Sequence, residues 1–312
     1  MERLGGNNRI EGALRGGIVA LGNFDGFHEG HQAVVGRAVE LARAEGRPAI
    51  VATFDPHPVR FFRPETPPFS LTTLEQRQRL FAKAGADAML VFHFDATLAA
   101  VGAQDFVIDY LVKRAGVAGV ITGGDFTFGA KRGGNVSVLA GLAKSHGLLC
   151  EAVGPVADGG EIVSSSRIRE ALQEGDPETA ARLLTRPFAI EGIVQDGDKL
   201  GRTIGYPTAN IDMGGYLRPR YGIYAVRGRL PDGRVINGAA NLGVRPTFDP
   251  PKELLEPYFF DFSGDLYGQT VEVELHAFLR PEAKFDSLDA LTAQMERDCA
   301  EAKRILSAAP SL

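Results

Sequence analysis

The chain has 312 residues, 44% hydrophobic and 23% charged, the profile of an ordinary globular protein and, by length, of two domains. Its 34 Lys+Arg against 39 Asp+Glu leave a formal net charge of -5, which argues against non-specific nucleic-acid binding. Two cysteines, Cys150 and Cys299, argue against a disulfide framework; with no signal-peptide core in residues 1–16 and no apolar run near the ~20 residues of a membrane span, a soluble cytoplasmic protein is expected.

The first half alternates short apolar runs with helical stretches. Strands are predicted over 17–21, 49–54, 88–94, 119–122 and 148–153, each apolar and close to a Gly or Pro, as buried parallel strands are. Helices are predicted between them, around 32–44, 74–84, 103–114 and 136–146. Such alternation points to a doubly wound α/β sheet, whose ligands bind at the carboxyl ends of the strands. A tail follows in which Ser166 is read as the cap of a helix over 167–173, and Asp176-Pro177 as the start of a short helix ending near Leu184. The domain boundary is placed at Arg186-Pro187, giving domains 1–186 and 187–312.

The second half changes period. Strands are predicted over 189–194, 222–230, 235–242, 258–262 and 270–278, with turn signals at Pro231-Asp232-Gly233 and Ser263-Gly264-Asp265. Strands at this spacing suggest a small antiparallel barrel. One helix closes the chain, with Asp286 as its cap and Leu288, Leu291, Met295, Ala302 and Ile305 near one face.

Directly after the first strand runs Gly22-Asn23-Phe24-Asp25-Gly26-Phe27-His28-Glu29-Gly30-His31. Its glycines let backbone approach a ligand closely, and the following helix turns free N–H groups and its positive dipole end toward the loop. His28 and His31, three apart, fall on one face of a helical turn and can donate to phosphate oxygens. A glycine turn carrying two surface histidines is the plain alternative. Ser164, Ser165 and Ser166 before a helix offer hydroxyls and N–H groups, and Arg167 adds a fork of donors suited to phosphate. The same run also reads as a simple capping segment.

These blocks resemble, in order, the HxGH signature of the nucleotidyltransferase superfamily and, more widely, the bacterial bifunctional riboflavin kinase/FAD synthetases. Thr53-Phe54-Asp55-Pro56-His57-Pro58, Gly124-Asp125-Phe126-Thr127-Phe128-Gly129 and Val163-Ser164-Ser165-Ser166-Arg167-Ile168-Arg169 complete the likeness in the first half. The resemblance implies a Rossmann-like FMN adenylyltransferase domain joining FMN to ATP. It makes His28 and His31 catalytic. It assigns ATP and its phosphates to Gly22, Asn23, Phe24, Asp25, Gly30, Ser164, Ser165 and Arg167. It places the flavin near Asp55, His57, Asp125, Phe126 and Phe128. On their own, Asp55 reads equally as a turn cap, His57 as a packed loop residue and the two phenylalanines as core.

In the second half, residues 197–210 are dense in glycine and turn formers but lack the order of a Walker A loop. They resemble the glycine-rich and PTAN segments of riboflavin kinases. The resemblance implies ATP contacts at Gly201 and Arg202, and Mg²⁺, accompanying ATP, at Thr208 and Asn210, both hard oxygen donors. Tyr221-Gly222-Ile223-Tyr224, the block from Asn241 to Phe248, Leu255-Glu256, the block from Asp261 to Gly268 and the block from Leu279 to Leu288 extend the match. It makes Glu256 the base that takes the proton of the riboflavin hydroxyl. Where the family commonly has a His two residues after this Glu, this chain has Pro257-Tyr258, and the proline is expected to disturb the strand. A different adenylyl- or cytidylyltransferase with an unrelated second domain is a distant option, against which the PTAN-like block weighs, and three functions stay open ahead of it. These are a bifunctional enzyme acting on riboflavin, FMN and ATP, an FAD synthetase with an impaired kinase half, and a non-catalytic flavin or nucleotide sensor.

Overall fold

The computed structural model describes residues 1–196, 206–245 and 252–308. They fall into two compact units, Met1–Pro67 with Thr72–Ser164, and Pro68–Leu71 with Ser165–Leu312.

The first unit is built on β1 (Glu2–Gly5), β2 (Ile18–Leu21), α1 (Glu29–Ala44), β3 (Ala49–Asp55), α2 (Leu74–Lys83), β4 (Ala88–His93), β5 (Gly119–Gly123), α3 (Val136–Ser145) and β6 (Leu149–Val153). The six strands form one sheet in the order β1-β4-β3-β2-β5-β6, and every pairing is parallel. Val19, Leu21, Ile50 and Ala52 pack into one hydrophobic cluster, and Ile18, Ala20, Ala49 and Val51 into another. Alternate residues thus serve opposite faces, which is why these strands read as unbroken apolar runs. The chain runs from β2 outward through β3 to β4, then returns to place β5 on the other side of β2. The loop after β2 therefore sits at the switch point of the sheet, where such folds bind ligands.

Two features of this unit depart from the expectations. The edge strand β1 precedes the predicted elements; its Glu2-Arg3-Leu4-Gly5 is mostly exposed and carries no apolar run. The helix predicted over 103–114 is α-helical only at Ala103–Asp105 and then π-helical over Phe106–Ala115, ending at Gly116 with φ +60°. The wider turn still buries Phe106, Val107, Tyr110 and Leu111.

The second unit begins with α4 (Ser165–Glu174) and α5 (Pro177–Leu184), the latter capped by Asp176, whose Oδ1 accepts from the Thr179 N–H at 2.9 Å. Then come β7 (Phe188–Gln195), β8 (Asn210–Asp212), β9 (Gly222–Arg229), β10 (Val235–Arg245), β11 (Lys252–Phe259), β12 (Thr270–Arg280) and α6 (Leu288–Ala308). The strands close a barrel in the order β7-β8-β11-β10-β9-β12, all antiparallel, with β12 pairing back onto β7. On α6, Ala302 and Leu306 are buried against Ala225, Ala239, Phe260 and Ala277 of the barrel wall. No described helix is long and apolar enough to cross a membrane.

Three local expectations are corrected here. Helix α4 starts at Ser165, so Ser166 lies inside its first turn rather than capping it. The cap of α6 is Ser287, whose Oγ accepts from the Ala290 N–H at 3.2 Å, and not Asp286. The strand expected over 258–262 spans Lys252–Phe259, and Asp261 turns the chain with φ +54°.

Candidate active sites

In the first unit the loop from β2 to α1 is wound tightly: Phe24, Gly26 and Phe27 all have positive φ. Asp25, 5% exposed, holds this shape, its Oδ1 accepting from both the N–H and the hydroxyl of Thr72 at 3.1 and 3.2 Å. The Thr72 hydroxyl in turn accepts from the Gly26 N–H at 3.0 Å. The Phe24 ring is buried against Phe81, so it faces the core and only its backbone remains for a ligand. Asn23 is exposed; its carbonyl accepts from the Thr53 hydroxyl at 2.8 Å and from Arg77 Nη1 at 3.1 Å. Burial pulls the Arg77 pKa below the usual arginine value, with Asp25 and Asp55 acting against that shift. A cation therefore sits beneath the loop.

His28 is the N-cap of α1, its Nδ1 accepting from the His31 N–H at 3.4 Å. The two imidazoles stack with centroids 3.6 Å apart and planes 20° from parallel. Gly30 makes this possible: a Cβ there would stand 3.2 Å from His28 Cε1. The pair thus forms one block of ring nitrogens at a helix start, where the helix dipole favours anions.

Around the same sheet edge, Asp55 ends β3 with Oδ1 3.9 Å from Arg77 Nη2. His57 Nδ1 accepts from the Val59 N–H at 3.2 Å and so caps the short helix Pro58–Phe62. After β5, Asp125 is exposed, Phe126 is half-buried, and Phe128 is buried in the core while stacking on Phe126 at 5.6 Å. Of these two rings only Phe126 keeps appreciable exposed surface. Ser164 closes the first unit, whereas Ser165 and Arg167 open α4 of the second.

The second unit holds a cavity of about 770 Å³. Ile223, Ala239, Phe285, Leu288, Leu291 and Met295 give it apolar walls, and Thr208, Asn241, Glu256 and Glu282 supply polar groups. Ile211 pairs with Leu255, and the Ala209 N–H donates to the Pro257 carbonyl at 3.0 Å. Asn210, between them, therefore lies opposite Glu256. On the other side of β11, Glu256 pairs directly with Asn241. Asn210, Glu256 and Asn241 form a row across three strands, on one face of the sheet. The register from Arg245↔Lys252 to Gly238↔Phe259 runs without a shift, so the expected disturbance at Pro257 does not occur. Tyr258 shares the cavity wall with Glu256 and packs edge-on to Tyr206 at 5.0 Å.

Thr208 and Asn210 flank Glu256 and offer hydroxyl and amide oxygens. No cluster of three or more His, Cys, Asp or Glu that could cage a metal occurs among the described residues. This donor set fits Mg²⁺, which keeps most of its ligands as water and phosphate. Gly201 and Arg202 lie outside the described residues. Cys299 also borders the cavity, but burial and then Asp298 push its thiol up to about 11, so it packs rather than reacts.

Asn241 and Glu282 lie in blocks that match the family but have no role assigned by sequence. The Asn241 Nδ2 lies 3.5 Å from Glu256 Oε2 and 3.3 Å from Glu282 Oε1. Glu282 occupies the space that a side chain at 243 would fill: a Cβ on Gly243 would stand 2.2 Å from its Oε1. Strand pairing brings these positions together: Asn241 pairs directly with Glu256, and Glu282 follows β12, which is joined to β10 through β9.

The FAD synthetase family model matches residues 11–167 and the riboflavin kinase family model residues 184–306. The bifunctional riboflavin kinase/FMN adenylyltransferase of Haemophilus influenzae is 39% identical over 303 residues, covering 97% of this chain and 98% of that protein. The Bacillus subtilis protein of the same description is 37% identical over 296 residues, 93% and 92% of the two chains. A crystal structure described as a macrolide-efflux protein from Streptococcus pneumoniae shares the fold with a TM-score of 0.86 and 30% identity, over 97% of this chain and 99% of that one.

Proposed function

The chain belongs to the bifunctional riboflavin kinase/FMN adenylyltransferase family, and we propose that it makes FAD in two ATP-dependent steps. In the first, the terminal ribityl hydroxyl of riboflavin attacks the γ-phosphorus of ATP, giving FMN and ADP. In the second, a phosphate oxygen of FMN attacks the α-phosphorus of a second ATP, giving FAD and pyrophosphate.

The kinase step is assigned to the barrel. The observation that carries it is Glu256 on the wall of a cavity of about 770 Å³ that is otherwise largely apolar. A carboxylate there accepts the hydroxyl proton as the oxygen attacks, a contribution of roughly 10²–10⁴ in rate. The apolar walls hold a flat ring and exclude water from the reacting end. Thr208 and Asn210 are the residues that would hold Mg²⁺, which neutralises phosphate charge when bound. Gly201 and Arg202 are carried as ATP contacts on the motif match.

The adenylyl step is assigned to the unit carrying the stacked histidines. Phosphoryl and nucleotidyl transfer ask the protein for position and charge neutralisation rather than a covalent intermediate. His28 and His31 supply donors beside the start of α1; Gly22, Asn23 and Gly30 supply accessible backbone. Asp25 and Phe24 fix the loop. Ser164, Ser165 and Arg167 are carried as phosphate donors on the motif match. Asp55, His57, Asp125 and Phe126 are assigned to the flavin, with Phe128 backing Phe126. The functional boundary is placed at Arg186-Pro187, and the enzyme is assigned to the cytoplasm.

Purified protein incubated with riboflavin, ATP and Mg²⁺, with flavins resolved by chromatography, tests this reading. Both FMN and FAD are expected. FAD formed from supplied FMN, with no FMN from riboflavin, would reduce the chain to an adenylyltransferase.

A further inference from the structure

Tyr258 stands where this chain departs from the pattern of its family, and the barrel gives that departure a place. It lies two residues after Glu256 on β11, so both side chains leave the same face of the strand. Both line the cavity, and Tyr258 is only half-buried. Across the strands Tyr258 pairs with Ala239, Ala239 with Ala225, and Ala225 with Ala277. One large ring thus stands at the end of a row of alanines, and Ala239 lines the cavity beside it. Tyr206 packs edge-on to the Tyr258 ring at 5.0 Å and Phe260 at 5.9 Å, which fixes its orientation.

We infer that Tyr258 is a specificity residue of the kinase site, its ring packing against the isoalloxazine ring of riboflavin above Ala239. The inference rests on the reading of this cavity as the riboflavin site. Length places the flavin ring there. The hydroxyl to be phosphorylated must meet Glu256, and the isoalloxazine follows at the far end of a five-carbon chain. Two residues of strand carry Tyr258 about 7 Å beyond Glu256, within the reach of such a chain. Shape agrees with length, since the small side chain of Ala239 leaves depth for a planar ring beside the tyrosine. Chemistry agrees as well: the oxidised isoalloxazine is electron-poor and the phenol ring electron-rich, a pairing that favours contact.

The fluorescence of riboflavin bound to the full chain, without ATP or divalent cation, tests this. Tyrosine or tryptophan touching an excited flavin quenches it by electron transfer, whereas phenylalanine does not. The chain has no tryptophan, and of its seven tyrosines only Tyr110, which is buried, belongs to the first unit. Emission is read at saturating protein, so affinity does not enter. Wild-type protein is expected to quench bound riboflavin, and Tyr258→Phe to restore the emission several-fold. Tyr206→Phe should leave most of the quenching in place. Tyr258→Leu should weaken riboflavin roughly 2- to 12-fold, the scale of one aromatic pair, and weaken lumiflavin, which has a methyl group in place of the ribityl chain, as much. Bound riboflavin left bright by the wild type, quenching unchanged in Tyr258→Phe, or a loss confined to riboflavin in Tyr258→Leu would overturn the inference. Wild-type protein that quenches riboflavin through Tyr258 without phosphorylating it would instead sink the kinase reading and leave the contact standing.

Discussion

The backbone N–H of Ala209 donates to the carbonyl of Pro257 at 3.0 Å, tying the segment that carries Thr208 and Asn210 to the strand that carries Glu256. In an antiparallel strand a residue's N–H and C=O point to the same side. The donor that Pro257 lacks would therefore face residue 209, not the long ladder with β10. Pro257→Val is accordingly expected to leave the kinase rate within about threefold of wild type, since no ladder bond to β10 depends on residue 257. Steady-state assay of FMN formation checks it, and a loss of a hundredfold would show that the proline does more than fill the strand.

The stacked histidines carry a prediction in the other unit. His31→Ala is expected to lower FAD formation from FMN by roughly 10²–10³, the usual loss for one preorganised donor at a developing charge. FMN formation from riboflavin should be unaffected, because every residue assigned to that step belongs to the barrel unit. A His31→Ala protein with wild-type adenylyl transfer would reduce the stack to packing.

A pH-dependent contribution to stability is expected from Asp87. Hydrogen bonds from Arg43 above all, and from the Ala49 N–H, hold its carboxyl below the usual aspartate value. A carboxylate depressed by folding stabilises the fold above its unfolded pKa, near 4, and loses that contribution as pH falls through the lower folded value. Asp87→Asn should therefore cost about 1 kcal/mol or less at pH 7, the range of a half-exposed pair, and less at about pH 2. Thermal unfolding at the two pH values checks the sign; an equal deficit at both would contradict it.

The parallel sheet was legible because its strands are buried on both faces, so Ile18, Val19, Ala20 and Leu21 form an apolar run with no polar interruption. β11 was not. Lys252, Glu253, Glu256 and Pro257 break the hydrophobic pattern, and only Leu254, Leu255 and Phe259 are buried apolar signals within it. Glu256 is there because its face of the strand lines the cavity, whereas Glu253, on the other face, pairs with Arg218 at 2.7 Å; both override the propensity that sequence reading relies on. β8 failed for a related reason, being three residues long and bracketed by the PTAN segment and a turn. Glu256 itself was found through its motif, but the row Asn210, Glu256, Asn241 was not, since its members lie 46 and 15 positions apart and meet only through strand pairing.

The most direct test of the account is Glu256→Gln, which keeps the side chain's shape and removes the proton acceptor. FMN formation from riboflavin and FAD formation from supplied FMN are measured in parallel, with riboflavin binding measured on the same protein. The account predicts a kinase rate lowered roughly 10²–10⁴-fold, riboflavin still bound, and adenylyl transfer at the wild-type rate. A kinase rate within a few-fold of wild type would contradict it, because the proton would then be leaving by another route.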